Sequence, residues 1–320
     1  MTRQPARIAL HSPFMRGTRR RLLLSGATAL AIAALVAAPQ QAKAQLSPTQ
    51  SFQGTGTVVS GGASIAQSGT VDTVRVTTGE AVINWRPNDT TGTGSINFLP
   101  SGRRVQFLGD TDFTVFNRII PVNAAGTPVS RLIELNGQID SFVLGQQGGS
   151  VWFYSPGGIL VGGTGVFNVG SLVLSTRDID TTGGLFGSGG EIRFGGSAFT
   201  TPGTITLANG AQINADVSAL PGSSYVALVA PRIEQRGTIA VNGAAALVAA
   251  ETVDIRVNAG LFDIFVTTGS DDANGIVHTG STGGPTDSSI DFESRAYLVA
   301  IPKTQAMTML LSGTIGFQTA

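Results

Sequence analysis

The sequence predicts an all-β protein, a right-handed parallel β-helix with an N-terminal β cap, on three observations. Residues 151–154, 159–161, 166–169 and 172–174 are apolar runs of three or four residues, separated by short stretches rich in Gly, Ser, Thr and Pro. Leu-Val-Ala occurs at 228–230, recurs 19 residues later at 247–249 and occurs again at 298–300, while Gly-Thr-Ile begins at Gly203, Gly237 and Gly313. No stretch beyond the amino-terminal segment keeps apolar residues at i, i+3, i+4 and i+7 over three turns. A solenoid needs short strands, frequent corners and side chains that repeat from coil to coil. The competing all-β class, an antiparallel sandwich, would show hairpin-spaced strands with an alternating polar outer face. Coils of roughly 20 to 25 residues would number about ten, stacked ~4.8 Å apart into a rod on the order of 50 Å. Ile159, Val161, Val166 and Val169 are the expected inward ladder residues, and Asn168 is expected to stack on an Asn of a neighbouring coil.

Residues 1–44 read as an export signal. Arg16, Arg19, Arg20 and Arg21 precede an uncharged stretch of 17 residues, 22–38, and Ala42-Lys43-Ala44 before Gln45 has the small-x-small form of a cleavage site. The stretch is short and rich in Ala, below the ~20 strongly apolar residues of a membrane span. The arginines also fit a twin-arginine signal, although no cofactor motif follows that would favour that route over Sec. Seven of the 20 basic residues lie before Gln45 and none of the 20 acidic ones does, so the remainder carries 13 against 20, a net charge near −7. An acidic surface repels phosphate backbones and excludes nucleic acid as the expected partner.

The next element is the cap. Residues 53–85 hold two β-rich runs, suited to sealing the first coil, whose exposed backbone would otherwise invite pairing. Residues 201–320 read as continuing coils, and the final "MLLSGTIGFQTA" starts what looks like another, as in the amino-terminal part of a longer rod or a shortened relative of one. Trp85 is expected in the core of the cap. Residues 183–196, "GGLFGSGGEIRFGG", lack the Asp of calcium-binding glycine repeats and read as a flexible loop between coils.

The chemical inventory is sparse, and no cofactor or metal is expected. There is no cysteine, which removes disulfides and thiolate chemistry. His278 is the only histidine after residue 44, too few for a histidine metal cluster, and neither a Gly-x-Ser-x-Gly elbow nor a Walker lysine occurs. β-Helices do include carbohydrate-active enzymes. The carboxylates to weigh are Asp178 with Asp180, Asp271 with Asp272, and Asp287 with Asp291; the first pair, spaced i, i+2, could place an acid and a base on one side of a strand. The competing assignment is solvated loop acids. What discriminates is whether Asp178 and Asp180 line an open groove or cap a turn.

Several pieces occur together in a recognisable order: "INW" at 83–85, "INF" at 96–98, "FNRII" at 116–120, "LNGQI" at 135–139, and "GSVWFYSPGGILVGGTGVFNVGSLVLSTRDI" from Gly149. From Asn84 to Ile179, and more weakly over about residues 50 to 200, the chain resembles the two-partner secretion domain of filamentous haemagglutinin-like exoproteins, the haemagglutination activity domain, which would then occupy residues 45–200. The family's Asn-Pro-Asn-Gly turn is here Ser155-Pro156-Gly157-Gly158, and residues 99–112 look like an insertion. The resemblance implies a β-helix exported through the periplasm and recognised by POTRA repeats of a dedicated outer-membrane β-barrel. It further implies secretion or outer-surface display, no enzymatic activity, and adhesion to a host-cell or matrix receptor. Asn117, Arg118, Ser155, Pro156, Gly157 and Gly158 are the residues assigned to transporter recognition.

Overall fold

The computed structural model describes residues 47, 49–196, 199, 203–216, 224–258, 261–286 and 294–319. The signal and its expected cleavage site at Ala42, Ala44 and Gln45 lie outside them, as do Asp287 and Asp291. No helix occurs among these residues.

A cap strand, β1 (Gly54–Ser68), runs antiparallel to β2 (Val71–Pro87), which alone spans two faces of the first coil before β3 (Ile96–Leu99) forms the third. The second coil is β4 (Arg104–Gly109), β5 (Thr114–Ile119) and β6 (Ile133–Leu135). The third is β7 (Gln138–Val143) with its short hairpin partner β8 (Gln146–Gln147), then β9 (Ser150–Tyr154) and β10 (Ile159–Val161). The fourth is β11 (Val166–Asn168), β12 (Ser171–Ser175), an excursion through β13 (Asp178–Ile179) and β14 (Glu191–Gly195), and β15 (Thr204–Leu207). The fifth is β16 (Gln212–Ala215), β17 (Ser224–Ala230) and β18 (Arg232–Gln235). The sixth is β19 (Thr238–Val241), β20 (Gly243–Ala249), a second excursion through β21 (Thr252–Asn258) and β22 (Leu261–Thr268), and β23 (Asn274–His278). The seventh is β24 (Ser281–Thr286), β25 (Arg295–Ala300) and β26 (Thr308–Leu311), and β27 (Thr314–Thr319) opens an eighth.

All coil-to-coil pairing is parallel, which rules out the sandwich and gives the predicted β-helix with its cap. The third face shows why these residues choose it. Ile96, Ile133, Ile159, Ile205, Ile233 and Ile276 stack in one continuous register, each branched side chain packing on its copy above and below. The second face carries Ile83, Asn117, Phe153, Leu174, Leu228, Leu247 and Leu298 in the same way. Leu-Val-Ala therefore repeats because β17, β20 and β25 are stacked neighbours. On the outside of the first face Asp140, Asn168 and Asn214 form the expected amide ladder: Asn214 Nδ2 donates to Asn168 Oδ1 at 2.9 Å, and Asn168 Nδ2 to Asp140 Oδ1 at 2.7 Å.

The cap is built on one buried carboxylate. Asp72 begins the first-face inward ladder, fully buried, and accepts the backbone N–H groups of Ser51 and Phe52 at 2.8 Å each. Phe52 then stacks on Phe98 and meets Trp85 edge-on, closing the end of the core with three aromatic rings, Trp85 among them as expected. β1 follows β2 around the corner between two faces at Gly61, where φ is +69° and a Cβ would stand 1.9 Å from the Glu80 carbonyl oxygen.

Four expectations are corrected. First-face strands begin at residues 71, 104, 138, 166, 212, 238, 281 and 314, so a coil takes 26 to 46 residues, and seven coils rise about 35 Å rather than 50 Å. Residues 99–112 are not a surface loop: they carry β4, with Val105 and Phe107 fully buried. Residues 183–196 are no loose loop either. Leu185 is buried with its N–H on Glu80 Oε2 at 2.9 Å, Phe186 lies edge-on to Trp152, and β14 follows. On β11 the inward residue is Phe167, while Val166 is half-buried on the outer side.

Candidate functional site

The second face is apolar on both sides. Inward it lines the main core; outward it is covered by the two excursions, which join as an antiparallel sheet in the order β13-β14-β21-β22. Phe116, Trp152 and Tyr225 on the face pack beneath Ile192, Phe194 and Phe262 of this sheet in a second core. Trp152 Nε1–H donates to the Tyr225 hydroxyl at 3.0 Å, and burial pushes the Tyr225 phenol up to about 12. The segments singled out in the sequence converge along this face.

Asn117 points inward and is fully buried. Its Oδ1 accepts Trp85 Nε1–H at 3.0 Å and its Nδ2 donates to the Trp152 carbonyl at 3.2 Å. In the folded protein its amide therefore holds the first three coils together and offers nothing at the surface. Arg118, the next residue, points outward and bridges to the excursion: Nε donates to Asp178 Oδ1 at 3.1 Å and Nη2 pairs with Oδ2. Tyr154 beside them is pushed up to about 12, by burial first and by the Asp178 charge second.

Ser155, Pro156 and Gly158 are buried and Gly157 is half-buried. The turn is the corner between β9 and β10, closed by Gly158 N–H on the Ser155 carbonyl at 3.3 Å, and φ of Gly158 is +113°. Coils lie tight on both sides. A Cβ at Gly157 would stand 2.3 Å from the backbone N and O of Arg131 in the second coil, and one at Gly203 in the fourth would stand 2.2 Å from Gly158 N.

Asp178 and Asp180 have separate employment. Asp178 takes Arg118 and the Ile179 N–H; Asp180 Oδ1 accepts the Thr182 N–H at 2.9 Å and Oδ2 pairs with Arg193 at 3.3 Å. The Thr182 backbone bond holds the Asp180 carboxyl below the usual range. The pair caps a turn and holds two arginines, Arg118 and Arg193. Asp271 and Asp272 are likewise engaged, with Lys303 and Thr304 on the first and Arg232 and the Asn274 N–H on the second.

His278 continues the ladder below Gln235 and is fully buried, with Nε2 2.9 Å from Thr282 Oγ1. Burial lowers its pKa below the ordinary 6.5. The unfolded chain therefore binds more protons than the folded one below about pH 6.5, so this contribution to stability is complete above that pH and is lost as pH falls through it toward the folded value. The thermal midpoint is expected to drop from pH 7.5 to 5.5, and less so in His278→Gln. Equal drops in both proteins would remove His278 from the account.

No family model and no curated protein matches the chain. Among solved structures, the HMW1 secretion domain from Haemophilus influenzae superposes with a TM-score of 0.58 at 20% identity, covering 82% of this chain and 65% of that one. The chain shares the fold of that secretion domain. The filamentous hemagglutinin secretion domain gives a TM-score of 0.44 at 13% identity, covering 82% of this chain and 99% of that one. The chain thus spans 65% of the length of the HMW1 domain, and the resemblance drawn from its motifs meets a secretion-domain fold. What the motifs did not reveal is the excursion sheet, although the strict alternation across "TVDIRVN" carries a strand signal of a half-exposed sheet.

Proposed function

We propose that the chain is an exported, non-enzymatic β-helical exoprotein whose residues 45–200 serve as its secretion address. Residues 1–44 direct it across the inner membrane, POTRA repeats of an outer-membrane β-barrel receive it, and the folded rod is released or held at the outer surface for adhesion to a host-cell or matrix receptor. The observation that carries this reading is a capped β-helix sharing its fold with the HMW1 secretion domain over 82% of its length. The physics supports it: a chain without cysteine cannot be locked by periplasmic disulfides, and the cap provides a template on which later coils add one at a time.

Recognition by the transporter acts on the extended chain. Asn117, Ser155 and Pro156 are buried once the coils close, so they and their neighbours Arg118, Gly157 and Gly158 are legible to a partner mainly beforehand. Strand addition to an exposed POTRA edge suits such a substrate. The carbohydrate-active alternative gains no support from Asp178 and Asp180, which are tied into a turn and two ion pairs.

The test is an immunoblot of culture supernatant and periplasm from the source strain with and without its POTRA-bearing transporter. Loss of the supernatant band, with the chain degraded or retained in the periplasm, is expected. An unchanged supernatant band would overturn the proposal.

A further inference from the structure

Among the described residues the excursion sheet ends in a long strand, β22, with no strand paired to its far side. Among the described residues β22 is hydrogen-bonded along its length to β21 alone, and it contains no proline or lysine of the kind that blunts exposed edges. Its inner side is anchored, Phe262 meeting both Tyr225 and Tyr297 edge-on. Its outer side is exposed, and Phe265 is 68% accessible.

The outer surface of the sheet has a sign pattern that runs out at this edge. One cross-strand row reads Glu191, Arg256, Asp263, with charge alternating from strand to strand; the row two residues away reads Arg193, Asp254, Phe265. Opposite charges and aromatic pairs directly across a ladder are favourable, and like charges are not. A fifth strand continuing the lattice places a cation against Asp263 and, two residues along on the same side, an apolar or aromatic group against Phe265. A second copy of β22 cannot supply that cation, because the strand has no basic residue.

We infer that the β22 edge is a docking site for an extended strand of another polypeptide, one that alternates a basic residue with an aromatic or large aliphatic one on the same side. The inference rests on this sheet alone and is independent of the route of export.

The test uses the full chain and two fluorescein-labelled nine-residue peptides, one with Arg and Phe at alternate positions and Ser or Thr between, the other with Glu in place of Arg. Anisotropy titration is read together with amide hydrogen exchange over residues 261–268. The Arg peptide is expected to protect that edge and to bind roughly five- to tenfold more tightly than the Glu peptide. Asp263→Lys reverses the order, and Phe265→Ser weakens both; the two side chains are exposed, so unchanged circular dichroism verifies the fold of each variant. Equal binding of the two peptides, protection elsewhere, or no binding overturns the inference. A concentration-dependent dimer abolished by Phe265→Ser overturns it as well, in favour of a second copy.

Discussion

Gly157→Asn, which places asparagine at the third position of the turn as in the family that the motifs resemble, is expected to destabilise this protein by about 3–5 kcal/mol. The new Cβ would stand 2.3 Å from both the backbone N and the backbone O of Arg131, and no side-chain rotation relieves a clash with backbone. Nor can Arg131 yield easily. Its buried guanidinium donates to Asp89 Oδ2 at 2.7 Å, to the Gly94 carbonyl at 2.7 Å and to the Asp89 carbonyl at 2.9 Å, so the second coil is fastened where the corner presses on it. The Arg131 hydrogen bond holds the Asp89 carboxyl below its ordinary range. Urea unfolding measures the loss, with Gly145→Asn as control: φ there is +80°, nothing lies within 4 Å, and a cost of about 1 kcal/mol is expected. Similar costs at both sites would mean that the corner is not close-packed. Glycine at position 157 is then a packing requirement of the chain.

Asn117→Ala is expected to cost about 2–4 kcal/mol, because it leaves the buried Trp85 indole N–H without an acceptor and opens a cavity among aromatic rings. The pairing makes a sharper forecast. In a Trp85→Phe background, where there is no indole donor to strand, the same substitution is expected to cost about 1–2 kcal/mol less. Additive costs would show that Asn117 is tolerated in the core without serving Trp85.

These two positions differ in how far the sequence discloses them. Val115, Asn117 and Ile119 alternate along β5, so the strand pattern alone places Asn117 inward; motif resemblance drew attention to its polarity instead. Gly157 is legible as a corner, but its neighbour 26 positions earlier, Arg131, is visible only in three dimensions. The isoleucine ladder and the Leu-Val-Ala repeat are written plainly because each rung sits on the same face. Gly-Thr-Ile is a mixed signal: the copies at Gly237 and Gly313 lie two coils apart on the first face, whereas the copy at Gly203 lies on the third. The 19-residue Leu-Val-Ala spacing understates the coil, because connections between faces differ in length and even the coils without an excursion take 26 to 34 residues; the Arg118–Asp178 pair joins residues 60 apart with no local trace.

The cap has a counterpart in how side-chain size is distributed along the rod. Every fully sequestered aromatic ring of the main core lies between Phe52 and Phe167, in the cap and the first four coils; beyond them the fully buried apolar residues of this core are aliphatic, with Ala245 and Ala249 in the sixth, and Gln235 and His278 share the interior. Each aromatic ring removes far more apolar surface from water than an alanine does. Cohesion therefore declines from the amino end, and the solenoid is mechanically polar. Heat is therefore expected to loosen the coils whose main core holds no aromatic rung before those that carry one.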